Sequence, residues 1–304
     1  RAIDIVDLSL KKHGAPIYVR HEIVHSRHVV NSLRHKGAVF VEELNEVPEG
    51  SVVIFSAHGV AKSVWEEAQS RRLHVIDATC PLVIKVHNEV NRDYTQGYEL
   101  ILIGHAGHPE VIGTLGQIPD KFHLVSSVKD VESLHVEKTQ NLSYVTQTTL
   151  SVDECRDIVE ALHRRFPNIK GPHQEDICYA TQNRQNAVKS LSKLVDVILV
   201  IGSPNSSNSN RLRELGEHCG IPSYLIDAAS DINPDWLKDA KSVGLSAGAS
   251  APEVLVTEVV AYLKRLGSSE EVEELTVIEE DVEFLLPKEL VTIESASRAS
   301  ASAN

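Results

Sequence analysis

Cysteine, histidine and carboxylate side chains carry the chemistry this sequence can offer, and they recur in matching settings. Cys80 closes the stretch Val75-Ile76-Asp77-Ala78-Thr79-Cys80-Pro81. The stretch begins as a strand, and its proline suits the first turn of a helix. Leu82, Val83, Val86 and Val90 then follow at roughly helical spacing. Cys178 stands in a similar place, in Asp176-Ile177-Cys178-Tyr179-Ala180-Thr181, just ahead of another helical pattern. A thiol at a helix start meets unpaired N–H groups and the positive end of the helix dipole. Both lower its pKa, and the thiolate is the form that binds iron or attacks an electrophile. For a single cysteine the commoner role is a small buried residue beside a turn. Cys155 and Cys219 fall inside helical patterns, where plain packing is expected. Cys80 and Cys178 are too far apart for a local zinc or ferredoxin spacing, so they share a centre only if distant parts of the chain pack round it.

Three histidines, His25, His58 and His108, each follow a strand pattern. Imidazole titrates near neutrality and donates hydrogen bonds to phosphate oxygens. Glu110 lies two residues beyond His108, and a carboxylate beside a histidine can carry a proton. Ser206-Ser207-Asn208 opens one helical pattern and Ser250 precedes another. Hydroxyls, an amide and free N–H groups at helix starts make an anion site, although N-capping alone accounts for either loop taken separately. The chain has no Gly-x-x-x-x-Gly-Lys phosphate loop, no Gly-x-Gly-x-x-Gly after a strand and no His-Glu-x-x-His pair. Nor does residues 246–250 form a nucleophile elbow.

Apolar stretches at 17–19, 38–41, 51–55, 75–77, 98–103, 122–125, 142–145, 196–201, 223–226 and 243–245 read as strands. Helical patterns fall between them, at about 1–13, 27–36, 61–71, 81–96, 151–166, 181–193, 206–219 and 252–266. Ser151 with Glu154 forms a capping-box pattern. Alternating strands and helices predict parallel α/β units, in which ligands collect at the carboxyl ends of strands. Every loop singled out above lies at such an end. The pattern repeats approximately, at close to a hundred residues, and Cys80 and Cys178 fall at equivalent seams. The expected division is 1–80, 81–175 and 176–267, with the opening helix packed on the first unit or on the third, and an acidic tail over 268–304. One strand is expected near 282–286, and 295–304 reads as disordered.

The 304 residues suffice for two or three domains, and 42% apolar with 24% charged residues is ordinary for a globular chain. No stretch reaches the apolar length of a membrane span. Four scattered cysteines suggest reduced thiols and a cytosol-like compartment. The net charge of −13 argues against nonspecific nucleic-acid binding. From Ser268 onward ten acids face two bases, so the tail carries −8 of that charge and leaves −5 for the body. The sequence contains no methionine, and it opens directly on an amphipathic helix without a capping residue. The expectation is that further sequence precedes it.

Taken together, the motifs resemble the 4-hydroxy-3-methylbut-2-enyl diphosphate reductase family, the last step of the non-mevalonate isoprenoid pathway. The resemblance covers about residues 1–266. It rests on Glu22-Ile23-Val24-His25, Phe55-Ser56-Ala57-His58-Gly59-Val60, Asp77-Ala78-Thr79-Cys80-Pro81, Gly104-His105-Ala106-Gly107-His108-Pro109-Glu110, Thr146-Gln147-Thr148-Thr149-Leu150-Ser151, Asp176-Ile177-Cys178-Tyr179-Ala180-Thr181, Asn205-Ser206-Ser207-Asn208-Ser209-Asn210 and Ser246-Ala247-Gly248-Ala249-Ser250. It implies three pseudo-repeated α/β units in a trefoil round a central cavity, holding a 4Fe-4S cluster on three cysteines. Two of these match Cys80 and Cys178. The third belongs to a Gly-Phe-Cys-Ala-Gly-Val segment that the family carries just before the opening helix, so the expectation is that the sequence given cannot by itself hold the whole cluster. The resemblance further implies that His25, His58, Ser206, Ser207, Asn208 and Ser250 line a diphosphate pocket. His108, Glu110 and Thr148 would surround the allylic alcohol, with Glu110 as proton source through Thr148. Ferredoxin or flavodoxin would be the electron donor, in a bacterial cytoplasm.

Two other readings stay open at this point. One keeps the fold and makes His25, His58 and His108 the ligands of a zinc hydrolase acting on a phosphorylated small molecule. The other is a non-catalytic diphosphate-binding module.

Overall fold

The structure, a computed structural model, describes residues 1–119, 122–267, 272–278, 280, 282 and 284–291. The chain opens with α1 (Ala2–His13), β1 (Ile17–Arg20), α2 (Arg27–His35), β2 (Ala38–Val41), β3 (Val52–Phe55), α3 (Lys62–Ser70) and β4 (His74–Asp77). A second round holds α4 (Pro81–Thr95), β5 (Glu99–Ile103), α5 (Pro109–Leu115), β6 (Phe122–Val125), α6 (Val128–Ser133), β7 (Leu142–Thr146) and α7 (Val152–Arg165). The third holds α8 (Tyr179–Leu191), β8 (Val197–Ile201), α9 (Ser207–His218), β9 (Ser223–Ile226), β10 (Val243–Ala247) and α10 (Glu253–Arg265). Sequence patterning missed α6 and short 3-10 turns at Leu44–Glu46, Ala229–Asp231 and Pro234–Leu237. These are too short to develop a hydrophobic period.

Three parallel sheets result, ordered β2-β1-β3-β4, β6-β5-β7 and β10-β8-β9. In each, the first strand of the round is central, the second flanks it on one side and the third on the other. The first sheet adds β4 outside β3. All five residues of β8 are buried, as are Leu100 to Ile103 of β5. Such continuous apolar runs belong to strands covered on both faces.

Register decides where the loops emerge. Phe55 pairs with Asp77, Ile103 with Thr146 and Ile201 with Ala247. The segments that leave these strands therefore start side by side, at 56 and 78, at 104 and 147, and at 202 and 248. Each pair stands at the carboxyl edge of its sheet, where parallel α/β units bind ligands. The three edges face a common centre in a trefoil.

Helix α1, which the expected division left open between the first and third units, packs on the first sheet: Ile5, Val6 and Leu8 join Ile17, Val19, Ile54 and Ile76 in one buried cluster. Its apolar stripe matches the face of the sheet it leads into. The strand expected near 282–286 is absent among the described residues there, which are irregular, and Lys288 to Val291 turn helical. Periodicity could not foresee this, because the segment is held by docking. Leu290 is fully buried against the first sheet, with Leu286 beside it. Lys12 Nζ donates to the Glu289 carbonyl at 2.8 Å, and Glu280 meets Asn183 at 3.1 Å and Arg184 at 3.4 Å. Residues 295–304, expected to be disordered, lie outside the described residues. No helix among the described residues is long and apolar enough to cross a membrane.

Candidate active site

Helix starts supply the thiols. Cys80 is the N-cap of α4 and Cys178 the N-cap of α8, the helices that lead into the central strands of the second and third sheets. Both backbones are pinned by a site loop: Cys80 N donates to the Ala57 carbonyl at 3.0 Å and Cys178 N to the Thr148 carbonyl at 2.9 Å. The amides of Leu82 and Val83 at the start of α4, and those of Ala180 and Thr181 at the start of α8, favour the thiolates of Cys80 and Cys178. Cys178 disfavours the ionisation of Cys80, and Glu110 disfavours that of both. The sequence argument that a helix start lowers these pKa values is overturned. The amides do act in that direction, but burial is the larger effect and raises both. Each thiol stays protonated until a cation neutralises the thiolate.

The corresponding start of α1 lies at the same place. Arg1, its N-cap, donates from Nη1 to the carbonyls of Thr79 at 2.9 Å and Ala78 at 3.3 Å, immediately before Cys80. Cys155 is buried in the core of the second unit as expected. Cys219 is not: it sits at the C-terminal end of α9 and is exposed.

Three imidazoles meet ring to ring. His25 and His58 are tilted 30° with centroids 4.2 Å apart, and His108 stands edge-on to both at 5.7 and 5.9 Å. Burial drives His58 well below its ordinary pKa and His108 down to about 4, with the neighbouring histidines acting in the same direction. These two rings are therefore neutral donors rather than cations at neutral pH. His108 Nδ1 accepts from the Glu110 amide at 3.2 Å, which assigns the ring proton to Nε2. His25 Nδ1 lies 3.2 Å from Glu22 Oε2, and His25 Nε2 is buried without a partner.

Glu110 is 3% exposed, in contrast to the usual exposed acid at a helix start. Its Oε1 accepts from the Thr148 amide at 2.7 Å and its Oε2 from the Thr148 hydroxyl at 3.0 Å. Burial nevertheless prevails over these bonds and pushes the carboxyl up to about 7.

On the third unit Ser206 caps α9, accepting from the Ser209 amide at 3.3 Å and the Ser209 hydroxyl at 3.0 Å. Ser207 Oγ accepts from Thr149 Oγ1 at 3.1 Å. Asn208 is 94% buried, yet both its amide nitrogen and oxygen lack partners. A buried amide left unsatisfied is costly, so a polar ligand is the natural complement. Ser250 Oγ donates to the His25 carbonyl at 3.0 Å, tying the third unit to the first.

These contacts make an open circuit. It runs from Ser250 to His25, through His58 and His108 to Glu110 and Thr148, and across Thr149 to Ser207. Asn208 sits beside Ser207 on α9, and Cys178 hangs from the Thr148 carbonyl. The circuit draws on all three sheets. Sequence reasoning gave no role to Gln147, which is 1% exposed, accepts from the His105 amide at 3.1 Å and donates to Thr149 Oγ1 at 3.0 Å. Its position inside the Thr146-Gln147-Thr148-Thr149 motif was the available signal. It also missed Asp176, which burial pushes up to about 6 while Thr146 N and Lys85 hydrogen-bond it.

The profile of the LytB protein family matches residues 1–264. Among curated relatives, 4-hydroxy-3-methylbut-2-enyl diphosphate reductase 2 of Bradyrhizobium diazoefficiens is 60% identical over 290 residues, 95% of this chain and 94% of that one. The 4-hydroxy-3-methylbut-2-enyl diphosphate reductase of Aromatoleum aromaticum is 60% identical over 292 residues, 96% of this chain and 93% of that one. The solved structure of the E-1-hydroxy-2-methyl-but-2-enyl-4-diphosphate reductase from Plasmodium falciparum superposes with a TM-score of 0.93 at 38% identity, covering 98% of this chain and 94% of that one. A second solved structure, an (E)-4-hydroxy-3-methyl-but-2-enyl diphosphate reductase described as the terminal enzyme of the non-mevalonate pathway, gives 0.62 at 33% identity, covering 87% and 94%.

Proposed function

This chain belongs to the LytB protein family, and on that premise we propose that it is an oxidoreductase that removes the allylic hydroxyl of (E)-4-hydroxy-3-methylbut-2-enyl diphosphate. The substrate takes up two electrons and two protons, and loses water. A hydrogen added at one or other end of the allylic system gives isopentenyl or dimethylallyl diphosphate. The observation that supports this most is the gathering of orphaned polar atoms, a protonatable carboxyl and two thiols from loops of three sheets.

The donor set fits an iron–sulfur cluster. Cys80 and Cys178 would hold it, as two soft thiols at helix starts with amides already aimed at sulfur. When bound, a 4Fe-4S cluster supplies single electrons and a Lewis-acidic iron for the departing oxygen. An external one-electron donor of the ferredoxin or flavodoxin type would recharge it.

The chain's own residues bind, orient and protonate. The neutral N–H of His58, the His25 ring, the Asn208 amide, the Ser206 and Ser207 hydroxyls and the free amides of α9 make an anion site for the diphosphate. A chain of net charge −13 needs such local donors, and exclusion of water strengthens each of them. Ser250 donates its proton to the His25 carbonyl, so it orients His25 and reaches phosphate only by rotating. His108 presents Nε2–H toward the alcohol. Glu110, protonated, gives its proton to Thr148 Oγ1 3.0 Å away. That hydroxyl passes its own proton on by way of the substrate's diphosphate.

The zinc-hydrolase reading loses its basis. Rings that stack at 4.2 Å offer faces and edges to one another rather than three lone pairs to one ion. Among the described residues no three His, Cys, Asp or Glu side chains are arranged to hold a single metal ion. Anaerobic turnover decides between them. With substrate and a reduced viologen we expect isopentenyl and dimethylallyl diphosphates and no free phosphate. Release of inorganic phosphate without dehydroxylated product would overturn the assignment.

A further inference from the structure

The loop that carries Cys178 has no regular structure over 171–178, yet three of its consecutive residues meet at one point. That point is Lys85, on α4, five residues past Cys80 and so about 7.5 Å farther along the helix. Its ammonium makes three bonds at once: to the Gln174 carbonyl at 2.6 Å, the Glu175 carbonyl at 3.2 Å and Asp176 Oδ1 at 3.0 Å. An ammonium has three N–H donors, so this set uses all of them. The other carboxylate oxygen of Asp176 accepts from the Thr146 amide at 2.9 Å, at the end of β7. The Asp176 side chain is fully buried, and that of Lys85 is 25% exposed. Two residues on, Cys178 N donates to the Thr148 carbonyl.

We propose that Lys85 is a positioning residue for the metal centre: it ties the turn bearing Cys178 to the helix that begins at Cys80, and so sets the separation of the two thiols. This rests on the reading of Cys80 and Cys178 as cluster ligands. A metal ligand is held by the groups behind it as much as by its own bond, and removing such a support weakens metal binding about 10- to 100-fold. Without the ammonium, three consecutive residues of the loop lose their shared anchor and Asp176 is left without its cation. Cys178 then keeps the Thr148 carbonyl and the first turn of α8, while the segment before it is held only by Asp176 on the Thr146 amide and Ile177 on Gln182.

The same helix supplies a control. Near its other end Asp93 pairs with Lys170 at 2.6 Å, with side-chain exposures of 4% and 24%, close to those of Asp176 and Lys85. Lys170→Met removes a comparable ion pair that touches neither cysteine. The test compares the wild type, Lys85→Met and Lys170→Met after anaerobic cluster loading. Iron and acid-labile sulfide are followed against a chelator, and the melting temperature of each metal-free protein is measured alongside. We expect Lys85→Met to lose iron at least about tenfold faster than the wild type, while Lys170→Met keeps the wild-type rate even where its melting temperature falls as far. Equal retention by Lys85→Met and the wild type would overturn the inference, as would equally fast loss from both variants. A wild type that takes up no iron or sulfide would instead overturn the cluster reading itself, and the two failures are distinct.

Discussion

In the role proposed for it, Glu110 has to be dry enough to hold a proton near neutrality and still touch the group it would protonate. Burial meets the first need, pushing the carboxyl up to about 7 from 4.5, and the Thr148 hydroxyl at 3.0 Å meets the second. Glu110→Gln keeps the shape and removes the transferable proton. Turnover should fall by at least about a hundredfold with substrate affinity nearly unchanged. Affinity lost as severely as turnover would place the residue in binding instead. The same substitution has a stability signature. Because the folded-state pKa is raised, the folded protein holds this proton more tightly than the unfolded chain. The resulting stabilisation is fully present below about 4.5 and is lost as pH rises through 7, an effect on the order of 3 kcal/mol. Glu110→Gln should therefore melt higher than the wild type at pH 8, and the advantage should vanish by about pH 4.5. At this scale the sequence identified residue types and missed environments. Helix-start arguments were right about the amides on Cys80 and Cys178, but burial depends on what packs above a loop, and that reverses the net shift.

Elements convert sequence neighbours into site neighbours. The strands were legible because apolar runs and loop residues alternate cleanly, and parallel pairing then fixed which loops emerge side by side. Turns are set more locally. Gly59, next to His58, has φ +76°, a left-handed conformation that L residues adopt only with strain. A Cβ there would lie 2.7 Å from His87 Cε1 and 3.1 Å from Val83 Cγ1, so the turn is pressed against α4. Gly59→Ala should lower stability by about 1–3 kcal/mol, and weaken diphosphate binding to the extent that the strained turn takes His58 with it. Denaturant midpoints and a substrate titration check this, and an unchanged midpoint would contradict the packing argument. The reach of Lys85 across to 174–176 had no such local signal. It joins residues about ninety positions apart, and charge patterning along one helix does not reveal it.

Across the whole molecule, the repeat explains why chemistry scattered over the chain arrives at one place. Each round puts its first strand at the centre of a sheet and its polar loops at the carboxyl edge, and three such edges supply the circuit from His25 to Ser250. The motif order made that convergence legible before any coordinates. The docking of the acidic segment was not, since Leu290 is buried by contact with residues near the opposite end of the chain. The convergence is also the point on which the functional account stands. Anaerobic crystals loaded with iron and soaked in substrate, measured at the iron absorption edge, test it most directly. The account predicts anomalous peaks bonded to both Cys80 and Cys178, with the diphosphate lodged among His25, His58 and Asn208. Iron bound elsewhere, or a diphosphate seated away from those three side chains, would contradict it.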